Sequence, residues 1–117
     1  MDSQKKGKAY ERHLANKLKD WFKEDVRRTG AQEKWKSRSG DVNPRNSSSI
    51  LGRYHWEAKK REAWAILEWW KKAKDDAETY RTPVVVASRN NEDDYVFMKL
   101  EDFLKLLKEL DGFLKKE

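Results

Sequence analysis

Between Arg53 and Lys60 the chain reads Arg-Tyr-His-Trp-Glu-Ala-Lys-Lys. Apolar and polar residues alternate there, the period of a strand, in which successive side chains point to opposite faces. Tyr54, Trp56 and Ala58 therefore share one face, and His55, Glu57 and Lys59 share the other. Such a strand is read either as an antiparallel strand with a wet face or as a strand that presents chemistry. Sixteen residues before Glu57 stands Asp41, in the turn Ser37-Arg-Ser-Gly-Asp41. The turn leads into a hairpin whose return strand carries Glu57, a geometry that brings Asp41 beside it.

Working outward, Tyr10, Leu14, Ala15, Leu18, Trp21 and Phe22 recur at helical spacing and predict an amphipathic helix from Gly7 to Lys23. A first strand is expected within Val26 to Lys36, and a polar loop over Asn43 to Ser49. A second helix is expected from Glu62 to Arg81, ended by Thr82-Pro83 because proline disfavours helical geometry in the residue before it. Pro83 to Ala87 reads as a strand, Arg89 to Asp94 as a turn, Tyr95 to Leu100 as a strand, and Glu101 to Lys116 as a leucine-rich helix. The order αβββαββα predicts an α/β (α+β) protein with a central mixed sheet flanked by helices, in a single domain over 1–117.

The chain has 117 residues, of which 41% are charged and 37% hydrophobic, with 27 Lys and Arg against 21 Asp and Glu. Six tryptophans, four tyrosines and four phenylalanines supply the burial that a disordered chain lacks. The absence of cysteine excludes disulfides, thiol catalysis and cysteine-ligated zinc. His13 and His55 are too few for a multi-histidine metal site. No segment is as apolar as a membrane span, and MDSQKKGKAY has no apolar run after its positive charges, so a soluble, intracellular protein is expected. The net charge of +6 is uneven: up to Arg61 there are 17 basic and 8 acidic residues, beyond it 10 and 13. A solvated surface and a polyanion-binding surface both accommodate this asymmetry, and nucleic acid is the polyanion it favours.

Glu11 falls in the middle of the first helix's apolar stripe, within about 60° of Leu14, Ala15, Leu18 and Phe22 at about 100° per residue. It is either a partly solvated glutamate favoured by the helix dipole or a carboxylate compensated by a cation. Asp41 and Glu57, with Glu11 from a facing helix, suit a hard divalent ion such as Mg²⁺, to which the main-chain carbonyl of Ala58 adds an oxygen. With Lys59 stabilising developing negative charge, this is the chemistry of phosphodiester hydrolysis.

These residues resemble the PD-(D/E)XK nuclease superfamily: a helix glutamate (Glu11), an aspartate at a hairpin (Asp41) and Glu57-Ala58-Lys59 as the E-x-K element. Gly40 stands where the superfamily has proline. The opening Lys6-Gly-Lys-Ala-Tyr-Glu-Arg-His-Leu14 and the step Ser39-Gly40-Asp41 are similar to those of archaeal-type Holliday-junction resolvases, which some phages also carry. The resemblance implies a restriction-endonuclease-like core and Mg²⁺ or Mn²⁺ bound by Asp41, Glu57 and Glu11. It gives Lys59 the nucleophile or the phosphate, and the role of the active-site serine to Ser39 or Ser37. It implies branched DNA as substrate, with no membrane and no small-molecule substrate. Lys5, Lys6, Lys8, Arg28, Lys34, Lys36, Arg38, Arg45, Arg53, Lys60 and Arg61 become candidates for the phosphate backbone. It further implies a two-fold homodimer. Trp64, opposite the second helix's apolar stripe, and Leu104, off the stripe of Phe103, Leu107, Leu110 and Leu114, are the candidate contacts. Other readings are a flap, nicking or restriction-like endonuclease of the same superfamily, or a non-catalytic protein that binds branched DNA.

Overall fold

Tyr10, Leu14, Ala15 and Leu18, spaced for one side of a helix, are the residues that α1 (Ser3–Phe22) buries. The computed structural model describes residues 3–31 and 38–116. After α1 come β1 (Val26–Arg28), β2 (Val42–Pro44), β3 (Tyr54–Lys60), α2 (Ile66–Asp76), β4 (Thr82–Ser88), β5 (Tyr95–Phe97) and α3 (Leu100–Lys115), with short 3-10 turns at Thr29–Ala31 and Ile50–Arg53. This is the expected αβββαββα order. The five strands form one mixed sheet in the order β1-β2-β3-β4-β5. Neighbours are antiparallel except β3 and β4, which run parallel and are joined through α2.

Val84, Val85, Val86 and Ala87 are all buried because β4 is covered on both faces. On one side α1 packs a cluster containing Tyr10, Leu14, Leu18, Val42, Ala58 and Val86. On the other, Ala73, Val85 and Ala87 meet Trp64, Trp69, Trp70 and Phe97. The His55 and Glu57 face of β3 looks toward this α2 side, and no helix among the described residues is long and apolar enough to cross a membrane.

Several local expectations are corrected. Trp21 (78% exposed) and Phe22 leave the α1 stripe, and Lys23 ends the helix in the left-handed region at φ 54°, its amide bonded to the Lys19 carbonyl. Of the first strand expected in Val26 to Lys36, β1 ends at Arg28, and 32–37 lie outside the described residues. Asn43 and Pro44 are buried strand rather than loop: the Asn43 amide donates to Thr29 Oγ1 and the Ser39 carbonyl, so its polarity is satisfied indoors. The second helix spans Ile66–Asp76 and stops well short of Thr82-Pro83, because Glu78 and Arg81 are drawn into tertiary hydrogen bonds. Trp64 thus precedes the helix and is half-buried, its ring edge-on to Tyr95 and Phe97 and its Nε1 donating to the Arg61 carbonyl. The apolar stripe of α3 does not face the core: this helix buries no residue.

Candidate active site

Asp41 is aimed by the glycine before it. Gly40 has φ +86°, and a Cβ there would lie 3.1 Å from the Trp56 amide nitrogen, so this turn requires glycine. Proline, fixed near −65°, cannot adopt it, which explains the departure from the superfamily pattern. The Asp41 amide then donates to the Trp56 carbonyl (2.7 Å), and Asp41 Oδ2 accepts from the Ala58 amide (2.8 Å). The register of Val42 opposite Trp56 places Asp41 beside Glu57. Ala58 thereby orients Asp41 through its N–H.

Burial first, then the charge of Glu57, pushes the Asp41 carboxyl up to about 7, against relief from the Ala58 amide and Lys59. Glu57 goes the other way. Burial raises it, but the hydrogen bond from His55 and the charges of Lys72, His55 and Lys59 outweigh burial and hold it below the usual carboxylate range. His55 Nε2 lies 3.1 Å from Glu57 Oε1, while Lys59 and Lys72 stand 4.0 and 3.9 Å from Oε2. The pair therefore sets two carboxylates side by side, Glu57 compensated by cations and Asp41, among the described residues, with no ion-pair partner.

Glu11 is half-buried and accepts from Arg28 Nε at 3.0 Å, the compensated-carboxylate arrangement, and its charge reaches Asp41. Arg28 is thereby committed to Glu11. Ser39 is turned away from the carboxylates: its hydroxyl meets Glu78, His55 Nδ1 and Arg81.

A family model described as "Phage putative PDDEXK endonuclease" matches residues 2–115. The chain belongs to this endonuclease family. Comparison with curated proteins gives no match, and comparison with solved structures gives none either. Asp41, Glu57 and Lys59 lie together at one end of the β2–β3 pair.

Nucleases of this superfamily generally use divalent metals. Among the described residues no group of three His, Asp or Glu side chains forms a ready cage. Two close carboxylates, one without a cation, instead fit the Mg²⁺ manner of binding, in which water fills most positions.

The endonuclease's basic candidates are spread over several elements. Lys5, Lys6 and Lys8 line the start of α1, and Lys60 lies 5.8 Å from the Tyr10 ring centre. Lys6, Lys17 and Lys60 border an open groove of about 710 Å³ between α1 and the 88–94 loop, which Glu92, Asp93 and Asp94 also line. Arg38 donates to the carbonyls of Pro44 and Arg45, Arg45 is exposed, and Arg61 donates to the Lys60 carbonyl. Arg53, at the far end of β3, is 4.0 Å from Glu109. Lys34, Lys36 and Ser37 lie outside the described residues. Sequence reasoning missed Lys72, Glu78 and Arg81 as neighbours of the site. Only the shared face of His55 and Glu57 pointed toward that network.

Proposed function

We propose that the chain is a divalent-metal-dependent endonuclease that cuts four-way DNA junctions as a two-fold dimer. The observation that carries the catalytic part is the Asp41–Glu57 pair, two adjoining and largely desolvated carboxylates within reach of Lys59. Asp41 and Glu57 would hold the metal, Mg²⁺ or Mn²⁺, with Glu11 near enough to complete its water shell. A bound divalent ion supplies a more acidic water and screens the scissile phosphate. Lys59, partly exposed at the rim, stabilises the charge that builds on the phosphate during attack. Lys6 and Lys60 along the groove hold the backbone without reading sequence.

Junction preference is supported by the likeness of Lys6–Leu14 and Ser39-Gly40-Asp41 to junction resolvases. The dimer is supported by α3. Its half-buried residues are Asp102 and Leu106, whereas Leu100, Phe103, Leu104, Leu107, Leu110, Phe113 and Leu114 are each 46–67% exposed. An apolar stripe of this length turned outward marks a partner surface. The acidic start of α3, Glu101 and Asp102, and its basic end, Lys115 and Lys116, complement each other when two copies pair antiparallel. Trp64, packed inside its own chain, is left out of this interface.

The test is cleavage of labelled four-way junctions, flaps, nicked and linear duplexes with Mg²⁺. Paired symmetric nicks in junctions alone are expected. Equal cutting of linear duplex would replace the junction reading with that of a general endonuclease, and binding without cutting would remove the enzyme.

A further inference from the structure

Behind Glu57 a chain of hydrogen bonds runs through the α2 side of the sheet to Glu78. Burial raises the Glu78 carboxyl, but the Ser39 hydroxyl and amide and the Arg81 guanidinium overcome it and bring it to about 2. An ionised carboxylate only accepts, so the Ser39 hydroxyl hydrogen is committed to Glu78. Ser39 Oγ must then accept from its other neighbours, His55 Nδ1 at 2.7 Å and Arg81 Nη1 at 3.2 Å. The ring is turned so that Nδ1 faces Ser39 Oγ and Nε2 faces Glu57 Oε1 at 3.1 Å. The imidazole is 1% exposed and held at both nitrogens, which leaves it one orientation.

The far end is clamped equally well. Arg81, whose side chain is 2% exposed, donates to the Ser39 and Tyr54 carbonyls and to Asn43 Oδ1 (2.7 Å), tying the 39–41 turn to the start of β3. Burying four polar or charged side chains here costs desolvation that an apolar filling would avoid. Shape alone does not call for such a network. What it delivers is a carboxylate with Oε1 fixed and Oε2 left on the side of Lys59 and Lys72.

We propose that Glu78, Ser39 and His55 form a positioning relay that fixes the Glu57 carboxylate for metal binding. The relay rests on the reading of Glu57 as a metal ligand. Ser39 acts in it through His55, without touching substrate. Partners of this kind are worth 10–100-fold in metal affinity.

The experiment is calorimetric titration of Mn²⁺ into the full chain and into Ser39→Ala, His55→Leu, His55→Gln and Glu57→Gln, with circular dichroism to establish that each is folded. Ser39→Ala and His55→Leu are expected to weaken Mn²⁺ binding at least about tenfold. His55→Gln, which keeps an N–H donor toward Glu57, is expected to recover at least about threefold of that loss, a rescue that a purely packing role would not give. If Glu57→Gln binds Mn²⁺ as the unaltered chain does, the metal-site reading itself fails. If Glu57→Gln loses binding while folded Ser39→Ala stays within about twofold of the unaltered chain, the relay alone is overturned. Should His55→Leu not fold, Ser39→Ala decides.

Discussion

Replacing Asp41 with Asn should stabilise the metal-free protein while abolishing cleavage. In the folded chain the Asp41 carboxyl lies at about 7, against 3.8 ordinarily. Between those values the native state holds a proton that the unfolded chain has released, so stability falls as pH rises from about 4 to 7. Above about 7 the whole cost is present. A rise of about three pKa units, at 1.36 kcal/mol each, corresponds to roughly 4 kcal/mol. Asparagine keeps an oxygen for the Ala58 amide and carries no charge to repel Glu57. Allowing for relaxation around the carboxylate, a gain of about 2–4 kcal/mol is expected at pH 8 in EDTA, each kcal/mol raising Tm by roughly 4 °C in a chain of this size. The assay is thermal unfolding of both proteins at pH 4 and pH 8, first in EDTA and then with Mg²⁺. The gap should nearly close at pH 4. Mg²⁺ at a hundred times its Kd should raise the unaltered protein by about 2.7 kcal/mol and leave the variant unmoved. A variant less stable than the parent at pH 8 without metal, or a gap independent of pH, would refute the reasoning.

The opposite sign is expected at Asp94, where burial is outweighed by hydrogen bonds from His13, Lys17 and Tyr10, lowering its carboxyl to about 2. Asp94→Asn should cost about 1–2 kcal/mol in urea unfolding at pH 7, the difference fading as pH falls from about 4 to 2; an equal loss at pH 2 would show that packing, not charge, is responsible. Leu107→Asp on the outward side of α3 should give a folded monomer by light scattering where the unaltered chain gives a dimer, with monomer stability changed by less than about 0.5 kcal/mol. A monomer from the unaltered chain at working concentration would remove the two-fold arrangement.

Much of this architecture is legible from residue order because β3 and α1 obey one period each. Tyr54 to Lys59 alternates without interruption, and the hairpin logic that sets Asp41 beside Glu57 follows from it. The departures occur where long-range bonds override local pattern. Glu78 and Arg81 continue a helical spacing on paper, yet Ser39, 39 residues from Glu78, draws them out of α2. Asn43-Pro44 carries the composition of a loop, and only the bonds to Thr29, Ser39 and Arg81 make it buried strand. Periodicity located the apolar stripe of α3, but a stripe does not say whether the core or another molecule covers it. That Asp41, Glu57 and Lys59 come together was legible. The serine and histidine network behind them was not, since Ser39 and His55 meet only through the folded turn.

The most direct measurement is Mg²⁺-dependent cleavage of an end-labelled four-way junction by the unaltered chain and by Glu57→Gln, alongside their junction affinities. Cleavage lost by at least about a thousandfold, with binding kept, is the predicted result. Cleavage by Glu57→Gln at the parental rate would contradict the assignment of the site to Asp41, Glu57 and Lys59.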